Sequence, residues 1–140
     1  MKLLLTDEHI ATMKHHAENT YPEECCGVIL GKVVSDSKQT VRVVGLENSF
    51  QGEKHNRFLI TPEMYRRWEK EALKEDLDII GFYHSHPDSP AIPSEYDRSH
   101  AWPWYSYIII SVQAGKATEV RNWRLQEDRS AFDREEISVT

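Results

Sequence analysis

His84 and His86 stand one residue apart, with Ser85 between them and Pro87 directly after. On an extended segment that spacing turns both imidazoles to one side, where they can share a single metal ion. Pro87 stops a strand, which would leave the pair at an open sheet end rather than inside the core. Asp97 follows on a short helix, and the proline-bearing loop of Pro87, Pro90 and Pro93 can fold its carboxylate back onto the pair. Two imidazoles and one carboxylate make a three-ligand zinc set that leaves a fourth position for water. Ser94 opens the same helix, where a serine is first a capping residue. It lies one turn before Asp97, so its hydroxyl can also project toward the metal and donate to an oxyanion. A chance His-x-His pair on an exposed strand is the competing reading, and spacing alone leaves both open.

These residues need a scaffold, and the pattern supplies one. Lys2–Leu5 reads as a short strand, and Thr6 caps a helix with an acidic first turn that ends at Tyr21-Pro22. Cys26–Val34 and Thr40–Leu46 read as a hairpin about Ser35–Lys38, and residues 47–56 as a loop leading to an extended piece at Phe58–Ile60. Thr61-Pro62-Glu63 starts a second helix running to about Asp76. Leu77–Tyr83 is a strand that delivers His84 and His86 at its end, and a short helix spans Ser94 to His100. Tyr105–Val112 reads as a central strand and Glu119–Leu125 as its neighbour, with an edge strand or short helix in the charged tail. Intermixed strands and helices give an α/β or α+β class.

Composition narrows the field. The 140 residues, 39% hydrophobic and 10% aromatic, suffice for one domain over 1–140 and argue against disorder. The longest apolar run falls far short of a membrane span, and the leucines at 3–5 are too few for a secretory leader. With 17 Lys+Arg against 23 Asp+Glu, the net charge of −6 disfavours nucleic acid as a partner. The two cysteines, Cys25 and Cys26, are adjacent and offer no disulfide framework, which favours a reducing, cytoplasmic setting.

The stretch from His84 to Asp97 resembles the JAMM (JAB1/MPN/Mov34) metallopeptidase family, whose motif reads H-[ST]-H-P, a spacer, then S-x-x-D. His84, Ser85, His86, Pro87, Ser94 and Asp97 meet every position. Bacterial members often carry P-x-E-x-C-G before an apolar strand; Pro22-Glu23-Glu24-Cys25-Cys26-Gly27 matches and places the family's glutamate on Glu24. The loop from Pro87 to Tyr107 is similar to a compact bacterial branch that processes sulfur carriers. The resemblance implies a cytidine-deaminase-like JAB/MPN core, a mixed and largely antiparallel central sheet flanked by helices. It implies Zn²⁺ held by His84, His86 and Asp97, with Glu24 moving the proton from the attacking water to the leaving amine and Ser94 steadying the oxyanion. The implied reaction is hydrolysis of the amide bond after the C-terminal Gly-Gly of a ubiquitin-fold sulfur carrier, for example releasing cysteine. An isopeptidase acting on lysine-linked modifiers is the rival enzyme, and a non-catalytic MPN scaffold the rival of another class. RadC-type domains tied to DNA repair fit poorly with the acidic charge.

Other residues draw plainer readings. Cys25 and Cys26 read as small buried residues at a strand start, and Ser85 as structural. His15 and His16 are expected to be solvent-exposed, His100 to pack, and His55 to lie in a loop near the groove. Trp102 and Trp104 read as core or groove wall, and Tyr83 should face away from the metal.

Overall fold

The computed structural model describes residues 1–54 and 57–140. Its elements are β1 (Lys2–Leu5), α1 (Asp7–Thr20), β2 (Cys26–Val34), β3 (Ser37–Leu46), α2 (Pro62–Lys74), β4 (Asp78–Pro87), α3 (Glu95–His100), β5 (Ser106–Gln113), β6 (Lys116–Leu125), β7 (Phe132–Arg134) and β8 (Glu136–Val139). The strands form one sheet in the order β7-β6-β5-β4-β2-β3-β1-β8. Four ladders are antiparallel, while β1–β3, β1–β8 and β4–β5 are parallel. This is the mixed, largely antiparallel α+β class expected from the sequence.

Each helix starts where its chemistry dictates. Thr6 accepts from His9 N while His9 Nδ1 accepts from Thr6 N, a reciprocal cap on α1. Thr61 accepts from Met64 N, with Pro62 and Glu63 in the first turn of α2. The two apolar faces of the sheet separate the cores. Met13 and Ala17 of α1 pack on Leu3, Ile29, Ile80, Ile108 and Ile110. Ala72 and Trp68 of α2 pack on Val28, Leu30, Phe82 and Leu125. Gly27 lets the Tyr83 ring press against the backbone, since a Cβ there would lie 2.1 Å from that ring.

One irregularity sets which way the histidines face. Along β4 the pairing with β2 steps from Ile79↔Leu30 to Gly81↔Ile29, leaving Ile80 unpaired as a bulge. A bulge resets alternation. Ile79 and Phe82 therefore both join the α2-side core, whereas Ile80 and Tyr83 join the α1-side core. Continuing from Phe82, His84 and His86 fall on the α2 side and Ser85 on the other.

The hairpins close more tightly than the sequence pattern suggested. β3 begins at Ser37, paired with Val34, instead of Thr40. β6 begins at Lys116, paired with Gln113, because Ala114 (φ 50) and Gly115 (φ 86) make a two-residue turn. The tail forms two strands. β7 and β8 end up at opposite edges of the strand order with only Glu135 between them, so the sheet must curl until its edges approach. Glu135 is buried at that seam, accepting from Asn122 Nδ2 (2.9 Å), from the Ser106 hydroxyl and from Lys38 Nζ (3.3 Å). Lys38 is fully buried and also donates to Ser106 Oγ (3.0 Å) and to the Trp104 carbonyl.

Candidate metal centre and active site

His84, His86 and Asp97 converge at the carboxyl end of β4. His84 Nε2 lies 3.2 Å from His86 Nε2 and 3.2 Å from Asp97 Oδ1, and His86 Nε2 lies 3.0 Å from Asp97 Oδ2. A tetrahedral ion with bonds of ~2.0–2.1 Å sets its ligand atoms ~3.3–3.4 Å apart, close to these edges. The protonation pattern points the same way. His86 Nδ1 lies 2.9 Å from the Pro90 carbonyl, which can only accept, so Nδ1 carries the hydrogen and Nε2 of the neutral ring is a lone pair. Burial pushes the His84 imidazole below its usual pKa, toward the neutral form a metal requires. Lone pairs facing a carboxylate at 3 Å repel unless a cation lies among them, so the donor set fits a metal ion.

Glu24 stands beside this triangle. Its carboxylate and the ring nitrogens of His84 and His86 lie within 4.8 Å of one another. It is 3% exposed, and its Oε1 has no hydrogen-bond partner among the described residues. Burial first, and repulsion from Asp97 second, push its carboxyl up to about 9. The segment is held in place from both sides. Cys25 N donates to Ser85 Oγ (2.8 Å), Ser85 N donates to the Cys25 carbonyl (3.2 Å), and Glu24 N donates to the Lys54 carbonyl (2.6 Å). Ser85, on the face opposite the imidazoles, therefore does the structural work expected of it.

Ser94 is the cap of α3: its Oγ accepts from Asp97 N (3.1 Å), and its own N–H donates to Asp97 Oδ2 (2.9 Å). The cap thus orients the carboxylate and leaves the hydroxyl hydrogen free of any bond among the described residues. All five residues singled out from sequence meet at one place. The histidines are buried rather than at an open end, because loop and helix cover the strand end beyond Pro87.

Other residues depart from expectation or escaped it. His15 is exposed, but His16 is half-buried and bonds Tyr83 (2.7 Å), which does face away from the metal site. His100 stacks on Tyr96 at 4.0 Å while staying exposed. Trp102 is 63% exposed on a cleft wall. His55 lies outside the described residues. Burial pushes Cys25 and Cys26 up to about 12, which keeps both thiols protonated. Asn48 was not foreseen: its Nδ2 donates to the Glu24 and Arg57 carbonyls, and its Oδ1 accepts from Phe50 N and Leu59 N. A lone Asn in a polar loop carries no sequence signal for that knot. Phe58 stacks on His84 at 4.4 Å, holding a ring whose Nδ1 is buried without a partner among the described residues.

Beyond Phe58 a cleft of about 550 Å³ opens against His84 and Asp97, walled by Tyr65, Phe82, Trp102, Tyr105 and Phe132. It can receive an extended, largely apolar chain next to the metal cluster.

Comparison with known proteins agrees with this geometry. Residues 6–126 match the family described as prokaryotic homologs of the JAB domain. A desampylase of Haloferax volcanii is 33% identical over 111 residues, covering 75% of this chain and 74% of the relative. A CysO-cysteine peptidase of Mycobacterium tuberculosis is 26% identical over 138 residues, covering 98% and 90%. A Desulfitobacterium hafniense protein of known solution structure superposes with a TM-score of 0.85 at 31% identity, over 99% of this chain and 92% of its own. A JAB1/MPN domain protein from Archaeoglobus fulgidus shares the fold (TM-score 0.60, 18% identity, 100% and 99% covered). The chain belongs to the prokaryotic JAB family, and with it to the JAMM/MPN hydrolases.

Proposed function

We propose that this chain is a zinc-dependent peptidase that hydrolyses the amide bond after the C-terminal Gly-Gly of a ubiquitin-fold sulfur carrier, releasing cysteine or a short extension. The observation that carries the reading is the convergence of Nε2 of His84, Nε2 of His86 and the Asp97 carboxylate within 3.2 Å, with Glu24 alongside. His84, His86 and Asp97 would hold the zinc. When bound, the ion supplies acidified water and a polarised carbonyl at neutral pH.

The protein's own groups divide the remaining work. Glu24 takes a proton from the attacking water and hands it to the departing amine. Its raised proton affinity suits the second task, and a positive charge at the cluster offsets Asp97 to make the first possible. The free hydroxyl hydrogen of Ser94 donates to the developing oxyanion. The aromatic cleft beside His84 takes the tail on the acyl side, where glycines let the backbone approach closely.

The peptidase reading draws support from the CysO-cysteine peptidase relative, which aligns over nearly the whole chain. The desampylase relative, with the higher identity, favours a second reading: removal of a ubiquitin-like modifier from lysine. A non-catalytic scaffold fits poorly with a complete ligand set. Among the described residues no helix is long and apolar enough to cross a membrane. The free thiols of Cys25 and Cys26 suit the reducing, cytoplasmic setting we propose. The two enzyme readings separate in one assay. Zinc-loaded protein is given a sulfur carrier extended by cysteine after Gly-Gly, and the same carrier joined to lysine Nε. Trimming of the first supports the proposal; cleavage of the second alone overturns it in favour of the isopeptidase.

A further inference from the structure

We propose that Arg57 binds the α-carboxylate of the amino acid or peptide released from the Gly-Gly tail, and so selects α-linked over lysine-linked substrates. The inference rests on the hydrolase reading above and specifies its leaving group. Arg57 is exposed, and its guanidinium lies over the rings of Tyr96 (5.3 Å) and Phe50 (6.0 Å). Among the described residues no carboxylate comes within ion-pairing distance of it. It is a positioned cation with its planar donors available.

Its location assigns the side of the scissile bond. Asn48 Nδ2 donates to both the Arg57 and the Glu24 carbonyls, so the two backbones are one side-chain amide apart. Phe58, next in the chain, lies on His84, and the Tyr96 hydroxyl donates to the Phe58 carbonyl at 2.8 Å. Phe58 also lines the aromatic cleft, whereas Arg57 does not. Glu24 must reach the departing nitrogen to protonate it, so residues tied to Glu24 border the leaving group. Hydrolysis places the water's hydroxide on the glycine carbonyl carbon, breaks the C–N bond and puts the proton on that nitrogen.

The leaving group's own chemistry does the rest. In an α-amino acid the carboxylate sits one carbon from the departing nitrogen. In an ε-linked lysine four methylenes separate that nitrogen from the Cα, and no carboxylate lies nearby. The Asp97 carboxylate, in a protein of net charge −6, repels a free carboxylate. A guanidinium held over two aromatic rings, with no acidic partner among the described residues, compensates, and a guanidinium binds carboxylate with two parallel hydrogen bonds.

The test uses one decapeptide ending in Gly-Gly-Ala, made as the free acid and as the C-terminal amide, with wild-type, Arg57→Leu and Arg57→Lys proteins of equal thermal midpoint. Zinc-loaded wild type should cleave the acid with a kcat/KM about 10- to 100-fold above the amide. Arg57→Leu should lower the acid to the amide's rate and leave the amide unchanged, and Arg57→Lys should keep part of the preference. Anisotropy of the same labelled peptides on chelated, non-cleaving protein should show the same order in Kd. Equal binding of acid and amide by the wild type, or a preference surviving in Arg57→Leu, overturns the role of Arg57. Absence of cleavage of both the peptides and a sulfur carrier extended by alanine after Gly-Gly, with the binding preference intact, overturns the peptidase reading instead and leaves the carboxylate site standing.

Discussion

Glu24 gives the chelated protein a pH signature that the Gln variant should erase. Its carboxyl is pushed from 4.5 up to about 9, foremost by burial. Between those values the folded state keeps a proton that the unfolded state has released. Stability therefore falls as pH rises through this window and levels off above about 9, with a slope of about 1.4 kcal/mol per pH unit. From pH 5.5 to 7.5 the loss attributable to Glu24 is at most about 2.7 kcal/mol. With a urea m-value of ~1–3 kcal/mol/M, that lowers the midpoint by about 1–3 M. Other groups titrate in the same range, so the measured quantity is the difference between wild type and Glu24→Gln, both in chelator. That difference should grow steadily from pH 5.5 to 7.5 in favour of the variant. Restoring the metal to wild type should shrink it, because a nearby cation favours the ionised carboxylate. Parallel pH profiles for the two proteins would refute the idea that Glu24 holds a proton in a buried, partnerless environment.

Three further outcomes follow from the same structure. His86→Ala removes a ring nitrogen facing Asp97 and His84, and should drop metal content from about one ion per chain to near zero by elemental analysis. Phe58→Ala removes the ring stacked on His84 and, at about 0.5–1.5 kcal/mol for such a contact, should weaken metal affinity by up to about tenfold in a competition titration. Lys38→Met leaves Glu135 buried without its cation and should cost about 3–5 kcal/mol in urea unfolding, with metal stoichiometry unchanged.

The site was more legible than the scaffold around it, for physical reasons. His84, His86, Ser94 and Asp97 fall within one strand–loop–helix segment, so their spacing along the chain already constrains their spacing in space. Glu24 comes from the segment leading into β2, far off in the chain, and could be placed only through family resemblance. The Ile80 bulge is invisible in an apolar run, yet it decides which core the imidazoles face. Glu135 looks like any acid in a charged tail, and only the curling of the sheet buries it against Lys38. His16 sits beside an exposed neighbour on α1, and its bond to Tyr83 depends on packing between helix and sheet. Asn48 and Arg57 act through a loop whose shape no periodicity encodes.

Mass spectrometry of a Gly-Gly-Cys-extended sulfur carrier, incubated with zinc-loaded wild type or Glu24→Gln, tests the proposed reaction most directly. Wild type should shorten the carrier to its Gly-Gly terminus, and chelator should stop it. Glu24→Gln should keep its metal yet slow the cut by about 10²–10⁴-fold. A carrier left intact by the zinc-loaded wild type, or trimmed equally by the variant, would contradict it.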